Sequence, residues 1–330
     1  MKTRLRALPP GLLTIGAVCF TVFAWASAFV AIRSAGAAYS PGALALGRLL
    51  AASLVLVALL FLRREGPPPP GARRGIVVSG LVWFAGYTVA LNWGERLVDA
   101  GTAALLVNTG PILMALLAAR LLGEALPPRL LAGMVVSFAG AVVVGLSMSA
   151  GHGSTPVLGV VLCLLAAVAY ATGVVAQKPA LSFGSPLQVT AYSCLVGALA
   201  CLPFAGRLAA EVPKAPLSAT LNMVYLGVVP TALAFTTWTY ALARMPAAKL
   251  GSTTYAVPAV VVLLSWVLLA EVPAWLTLFG GLLCLAGVAL SRYRPRERTD
   301  RLPADPDALS APVVARVPDG AAGGAGHPRP

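Results

Sequence analysis

Two prolines inside long apolar runs, Pro111 and Pro258, are the first residues whose type and spacing suggest chemistry. They stand 147 residues apart, and three residues before each comes a hydrogen-bonding side chain, Asn108 and Tyr255. Three residues are close to one helical turn, so each pair shares nearly one face. A proline within a helix removes a backbone donor and kinks the axis. In apolar surroundings the freed carbonyl is tolerated only where protein or a water-filled cavity satisfies it. The amide and the phenol offer donors and acceptors without net charge, which suits recognition of a small polar molecule beside a hinge. The same groups would serve as hydrogen-bonding glue between helices, and the prolines as ordinary kinks.

Trp25 and Tyr170 form a second spaced pair, 145 residues apart, fit for aromatic walls or for plain ring packing. Arg48 is the only ionisable side chain well inside an apolar run as the runs are read here. A charge held in a membrane is costly and marks a functional hypothesis by default. It would attract a substrate carboxylate, or bind helix-end carbonyls as a structural or gating charge. Glu124 and Glu271, again 147 residues apart, close two runs. Each is expected to meet a neighbouring helix N-terminus or a basic side chain as a structural charge, with a gate or proton site as the alternative. Tyr87, Asn92, Thr237 and Trp238 are further candidates to line a cavity.

Several chemistries are missing. His152 and His327 lie outside the apolar runs, which leaves no histidine for an intramembrane hydrolase or metal site. No Gly-rich loop with Lys-Ser/Thr is present to cradle a nucleotide phosphate. No carboxylate falls in the middle of a run, which disfavours a proton-coupled exporter of cationic drugs. Cys19, Cys163, Cys194, Cys201 and Cys284 all sit in apolar runs without paired spacing, as small hydrophobes do. No catalytic residue, cofactor or metal is expected, and the chain is not read as an enzyme.

The elements that must position these groups are membrane helices. Hydrophobic residues make up 58% of the 330 and charged ones 11%, with a mean hydropathy of +0.85. A soluble fold carries about 25% charged residues. Ten apolar segments are marked, roughly 11–32, 41–62, 75–94, 100–121, 129–149, 156–177, 186–206, 217–241, 247–270 and 274–291. Each is near the length that crosses a bilayer as a helix. Residues 1–10 read as an N-terminal cytoplasmic segment and 292–330, rich in Pro, Gly, Asp and Arg, as a disordered cytoplasmic tail. Lys2, Arg4 and Arg6 before an apolar run and Ala26-Ser27-Ala28 imitate a secretory signal; the segment is read instead as the first span.

The net charge of +13 does not indicate nucleic acid, because the positives fall in short loops. With both termini on one side, that side holds 19 Lys and Arg against four opposite: Arg33, Arg96, Arg207 and Lys214. Such a bias marks the cytoplasmic face.

At the offset of 147, Gly133 also falls on Gly280 and Gly140 on Gly287; at 145, Ser40-Pro41 falls on Ser185-Pro186 and Arg33 on Lys178. Each half, 11–149 and 156–291, then holds five spans. An odd number inverts the second half relative to the first. Inverted repeats are a signature of secondary transporters, with the substrate near the midplane between them.

The stretch Ala90-Leu91-Asn92-Trp93, Asn108-Thr109-Gly110-Pro111, Leu121-Leu122-Gly123-Glu124 resembles an EamA repeat. So does Trp238-Thr239-Tyr240-Ala241-Leu242, Tyr255-Ala256-Val257-Pro258, Leu268-Leu269-Ala270-Glu271. The Trp-Ala-Ser-Ala-Phe run at 25–29 and Arg48 also match that family's habits. The resemblance implies the drug/metabolite transporter superfamily: ten helices, alternating access, and export of amino acids or other small metabolites. The expectation is thus an all-α polytopic protein of the inner membrane, two inverted five-helix repeats moving a small molecule. Its expected partners are that substrate and the lipid bilayer, with no nucleic acid, and a homodimer is compatible. A ligand-sensing receptor or scaffold, or a channel-like facilitator, is the alternative.

Overall fold

The computed structural model describes residues 10–98, 100–149, 157–269 and 275–292. Every regular element among them is a helix. Helices α1 (Pro10–Gly36) and α2 (Pro41–Arg63) come first. Next, α3 (Pro70–Ser79), a π-helical stretch Gly80–Tyr87 and α4 (Thr88–Leu97) run on as one helix. Then follow α5 (Ala100–Val107), α6 (Gly110–Leu122) and α7 (Pro128–Ser149). The second half opens with α8 (Val157–Ala180), α9 (Pro186–Ala200) and α10 (Ala205–Glu211). Another continuous helix joins α11 (Leu217–Leu226), a π-helical stretch Gly227–Leu233 and α12 (Ala234–Leu242). Last come α13 (Ala247–Gly251), the 3-10 turn Ser252–Tyr255, α14 (Ala256–Leu269) and α15 (Trp275–Arg292).

Local sequence sets the helix ends. Prolines 41, 70 and 186 open α2, α3 and α9, where a missing N–H is no loss. Ser185 and Gln188 form a capping box at the start of α9. Arg64 (φ 55°) and Gly123 (φ 65°) take the left-handed conformation that stops α2 and α6.

Among the described residues, six helical stretches are long and apolar enough to cross a membrane, or seven if α9 and the segment after it, bent by 50°, make one span. Shorter apolar helices cover Pro128–Val144 and Trp275–Ser291. The apolar segment at 247–270 is instead broken into α13, a 3-10 turn and α14. Large apolar side chains such as Leu54, Phe61 and Leu282 point outward at 68–79% exposure, as a lipid-facing surface requires. This is a multi-pass membrane protein. Glu271, the loop with His152, residues 1–9 and the tail with His327 lie outside the described residues.

The packing recurs in matching pairs. Helix α1 lies on the α11–α12 helix and on α14, while α8 lies on the α3–α4 helix and on α6. The two π-helical stretches begin at Gly80 and Gly227, 147 residues apart. A Cβ at Gly80 would stand 2.7 Å from the Ser193 carbonyl oxygen, and one at Gly227 2.5 Å from that of Arg48. Ser193 and Arg48 are themselves 145 residues apart. Only glycine allows these backbones to touch, and the contact is built the same way twice. Between the helices lies one large apolar cluster that includes Leu46, Leu56, Trp83, Met114, Val174, Trp238 and Leu250.

Candidate functional site

A cavity of about 80 Å³ lies among α1, α2, the α3–α4 helix, the α5–α6 junction, α8, α12 and the 3-10 turn. Its wall includes Trp25, Ile32, Arg48, Trp83, Tyr87, Leu91, Asn108, Pro111, Tyr170, Phe235 and Thr254. The cavity is displaced toward the end of the bundle where α1 and α4 finish, since Ile32 and Leu91 lie within the last two turns of those helices.

An aromatic layer forms most of the wall. Trp83 stacks on Phe235 with centroids 4.5 Å apart and planes 22° from parallel. Trp25 meets Trp83, Tyr170 and Phe235 edge-on at 5.6–6.5 Å. Tyr87 reaches Tyr170 at 6.2 Å. Such pairs hold each other at fixed angles, and the Trp25 ring is pinned further because Nε1 donates to the Pro230 carbonyl at 3.2 Å. That carbonyl lies in the second π-helical stretch, where the hydrogen-bond register shifts to i→i+5.

Arg48 is buried, and its Nε donates to Thr231 Oγ1 at 2.6 Å. Thr231 in turn donates to the Leu226 carbonyl at 2.7 Å, so the guanidinium is tied to the same π-helical stretch. Tyr170 is 6% exposed, and its hydroxyl makes no hydrogen bond of good geometry among the described residues. The nearby Thr254 hydroxyl already donates to the Gly251 carbonyl at 2.8 Å.

Of the residues singled out from sequence, Trp25, Arg48, Tyr87, Asn108, Pro111 and Tyr170 meet at this wall. Tyr255 does not: it is fully buried against Phe138, at 6.4 Å, in a cluster with Met134 and Cys284. Thr254, one residue earlier, takes the place beside the cavity. Trp238 lies behind Trp25 at 4.8 Å. Asn92 donates to the Pro41 carbonyl at 3.2 Å, bracing the start of α2. Thr237 shares a 2.8 Å hydrogen bond with Thr21 of α1. Pro258 is buried in α14 and is not part of the wall. Helical periodicity at three-residue spacing is too coarse to settle which neighbour faces inward when the helix tightens into a 3-10 turn.

Glu124 sits at the end of the bundle away from the cavity. Its carboxylate accepts from the Ala247 and Ala248 N–H groups at 2.9 and 3.1 Å, at the start of α13. Lys178 Nζ lies 3.5 Å from it and donates to the Leu242 and Met245 carbonyls. One carboxylate and one ammonium thus join α6, α8, α12 and α13.

Trp83, Phe235 and Thr254 escaped the sequence reading, as did Glu95. Glu95 lies in α4, four residues beyond Leu91 and eight beyond Tyr87, and is within electrostatic reach of Arg48 and Tyr87. The signal was that helical spacing, hidden because the apolar run was taken to end at residue 94.

A pocket of aromatic faces and few polar groups inside a bundle of membrane helices has the make-up of a small-molecule site in a multi-pass membrane protein. The EamA-like transporter family matches this chain twice, over residues 12–146 and 157–293. The chain is 38% identical over 282 residues to a probable terminal-alkyne amino-acid exporter of Streptantibioticus cattleyicolor, covering 85% of this chain and 93% of that one. It is 32% identical over 269 residues to the uncharacterized transporter YdfC of Bacillus subtilis, covering 81% and 87%. A protein of known crystal structure shares the fold at a TM-score of 0.70 and 24% identity, over 86% of this chain and 96% of that one. The protein belongs to the EamA-like transporter family and is a transporter, not an enzyme.

Proposed function

We propose that the protein exports a small amino acid across the cytoplasmic membrane by alternating access. Ten spans form two inverted five-helix repeats, 11–149 and 156–291, with both termini in the cytoplasm. The observation that carries this reading is a cavity walled from both halves, with Trp25 and Tyr170, 145 residues apart, and both Asn108 and Thr254 on its wall. The twofold family match and the doubled contact at Gly80 and Gly227 support the repeat. The excess of Lys and Arg on one side supports the orientation.

The substrate class follows from the wall. Arg48 suits a carboxylate, since a guanidinium presents a planar fork to two oxygens. The faces of Trp25, Trp83 and Phe235 suit a short unsaturated or apolar side chain. A cavity of about 80 Å³ is well below the roughly 300–1,000 Å³ of drug-sized sites, which favours a metabolite over a bulky drug. The terminal-alkyne amino acids moved by the relative from Streptantibioticus cattleyicolor are molecules of this kind.

Export from intact cells tests the reading. Cells loaded with L-propargylglycine or other small amino acids release at least one of them faster with the protein than without it. Asn108→Ala, inserted at the same level, releases it more slowly. Equal release with and without the protein across the panel contradicts the assignment.

A further inference from the structure

Of the buried side-chain polar atoms without hydrogen-bond partners among the described residues, four fall on the repeat in one pattern, whereas those of Ser79 and Asn92 stand outside it. The four are the Tyr170 hydroxyl, Gln177 Nε2, Trp238 Nε1 and the Tyr255 hydroxyl. Tyr170 already faces the cavity. The other three are at most 1% exposed and lie outside its wall. Buried polar atoms are nearly always satisfied, so each orphan calls for a physical reason.

The repeat offsets supply one. Subtracting 145 or 147 carries Gln177 to Ile32, Trp238 to Leu91 and Tyr255 to Asn108. All three destinations line the present cavity. The orphans thus occupy, in the closed half, the places that form the wall in the open half.

The two halves also differ in local structure at their equivalent prolines. Before Pro111, α5 stops at Val107 and the chain resumes as a helix at Gly110, leaving Asn108 in a turn. Before Pro258 the chain instead tightens into the 3-10 turn Ser252–Tyr255. If the halves trade these conformations, Asn108 leaves the wall and Tyr255 joins it.

We propose that Gln177, Trp238 and Tyr255 form a second substrate-facing wall, which opens at the opposite membrane face when the present cavity closes. It offers an amide, an indole N–H and a phenol, and Ser193 stands where the other half carries Arg48. This wall takes the polar head of the same small amino acid through neutral hydrogen bonds. The inference rests on the alternating-access reading above, and names the site that reading requires in its other state.

Thiol labelling tests it without needing the substrate. In a Cys19→Ala background, Ile32→Cys and Gln177→Cys are exposed separately to an impermeant maleimide in right-side-out and inside-out vesicles. The expected result is labelling of Ile32→Cys from one face only and of Gln177→Cys from the other face only, at least fivefold above the background protein. Tyr255→Cys reports on the same wall if Gln177→Cys fails to insert, and is expected to label from the same face as Gln177→Cys. Labelling of the second wall from neither face, or from the face that reaches Ile32→Cys, overturns the proposal. Absence of amino-acid flux in the parent protein would count against the substrate reading while the sidedness of labelling still decides this one.

Discussion

Ser137 and Cys284 hydrogen-bond to each other's backbone. Ser137 Oγ donates to the Cys284 carbonyl at 3.0 Å, and Cys284 Sγ donates to the Ser137 carbonyl at 3.4 Å. The two residues stand 147 apart, the offset that also relates the prolines. Around them α7 and α15 pack antiparallel, with Gly133 against Gly287 and Gly140 against Gly280. The proposed inverted repeat requires this of residues on its axis: each meets its own counterpart, on helices that run antiparallel.

This packing makes the first prediction. A Cβ at Gly140 would stand 2.5 Å from the Cys284 amide nitrogen, and one at Gly280 would stand 2.9 Å from the Gly140 carbonyl. Gly140→Val and Gly280→Val should each destabilise the protein by about 1–3 kcal/mol, the scale of overpacking. Melting temperatures in detergent would fall for both; a drop for one alone would contradict the symmetric arrangement.

Tyr170→Phe should separate binding from stability. The hydroxyl has no hydrogen bond of good geometry among the described residues, so the melting temperature should change little. Apparent affinity for the substrate should weaken by about 1 kcal/mol, the net worth of a typical hydrogen bond. Unchanged affinity would remove the hydroxyl from the binding site.

Arg48 and Thr231 should be energetically coupled. Their 2.6 Å hydrogen bond involves a charged donor, a class worth about 1.5–3 kcal/mol. A double-mutant cycle of Arg48→Lys and Thr231→Val, read by thermal unfolding, should return coupling of that order. Additive losses would mean the guanidinium is held by something else.

Glu124 should behave as the cap of α13. Glu124→Ala removes the acceptor of two backbone N–H groups and the partner of Lys178. The expected loss is about 1–2 kcal/mol, as for an N-cap with favourable helix charge. Glu124→Gln keeps an acceptor oxygen and should lose less, by the same thermal assay.

Composition and hydropathy made the membrane helices legible, because long apolar runs have few other uses. The spacing of Pro111 from Pro258 and of Gly133 from Gly280 carries the proposal of an internal repeat, and the glycine pairs meet between α7 and α15. The cavity was legible in part. Trp25, Tyr170, Asn108 and Arg48 stand out by type, whereas Phe235 and Thr254 look like any other residues of an apolar helix. The π-helical stretches at Gly80 and Gly227 leave no mark in hydrophobic periodicity, yet they decide which carbonyls Trp25 and Thr231 reach. Sequence spacing left open that Thr254 and not Tyr255 would line the present cavity, because equivalent positions in two halves need not share a conformation. Glu95 was missed at the frayed edge of a run, where apolar content fades before the helix ends.

Under the proposed function, a substrate bound between the two halves is carried across by alternating access. Counterflow in proteoliposomes tests it most directly. Vesicles are preloaded with unlabelled L-propargylglycine, or the amino acid found in the cell assay, and given a trace of labelled compound outside. The account predicts transient accumulation of label above equilibrium, saturating with concentration and at least tenfold weaker in the Trp25→Ala/Tyr170→Ala double variant. Accumulation that rises only to equilibrium and does not saturate, or binding without flux, would contradict it.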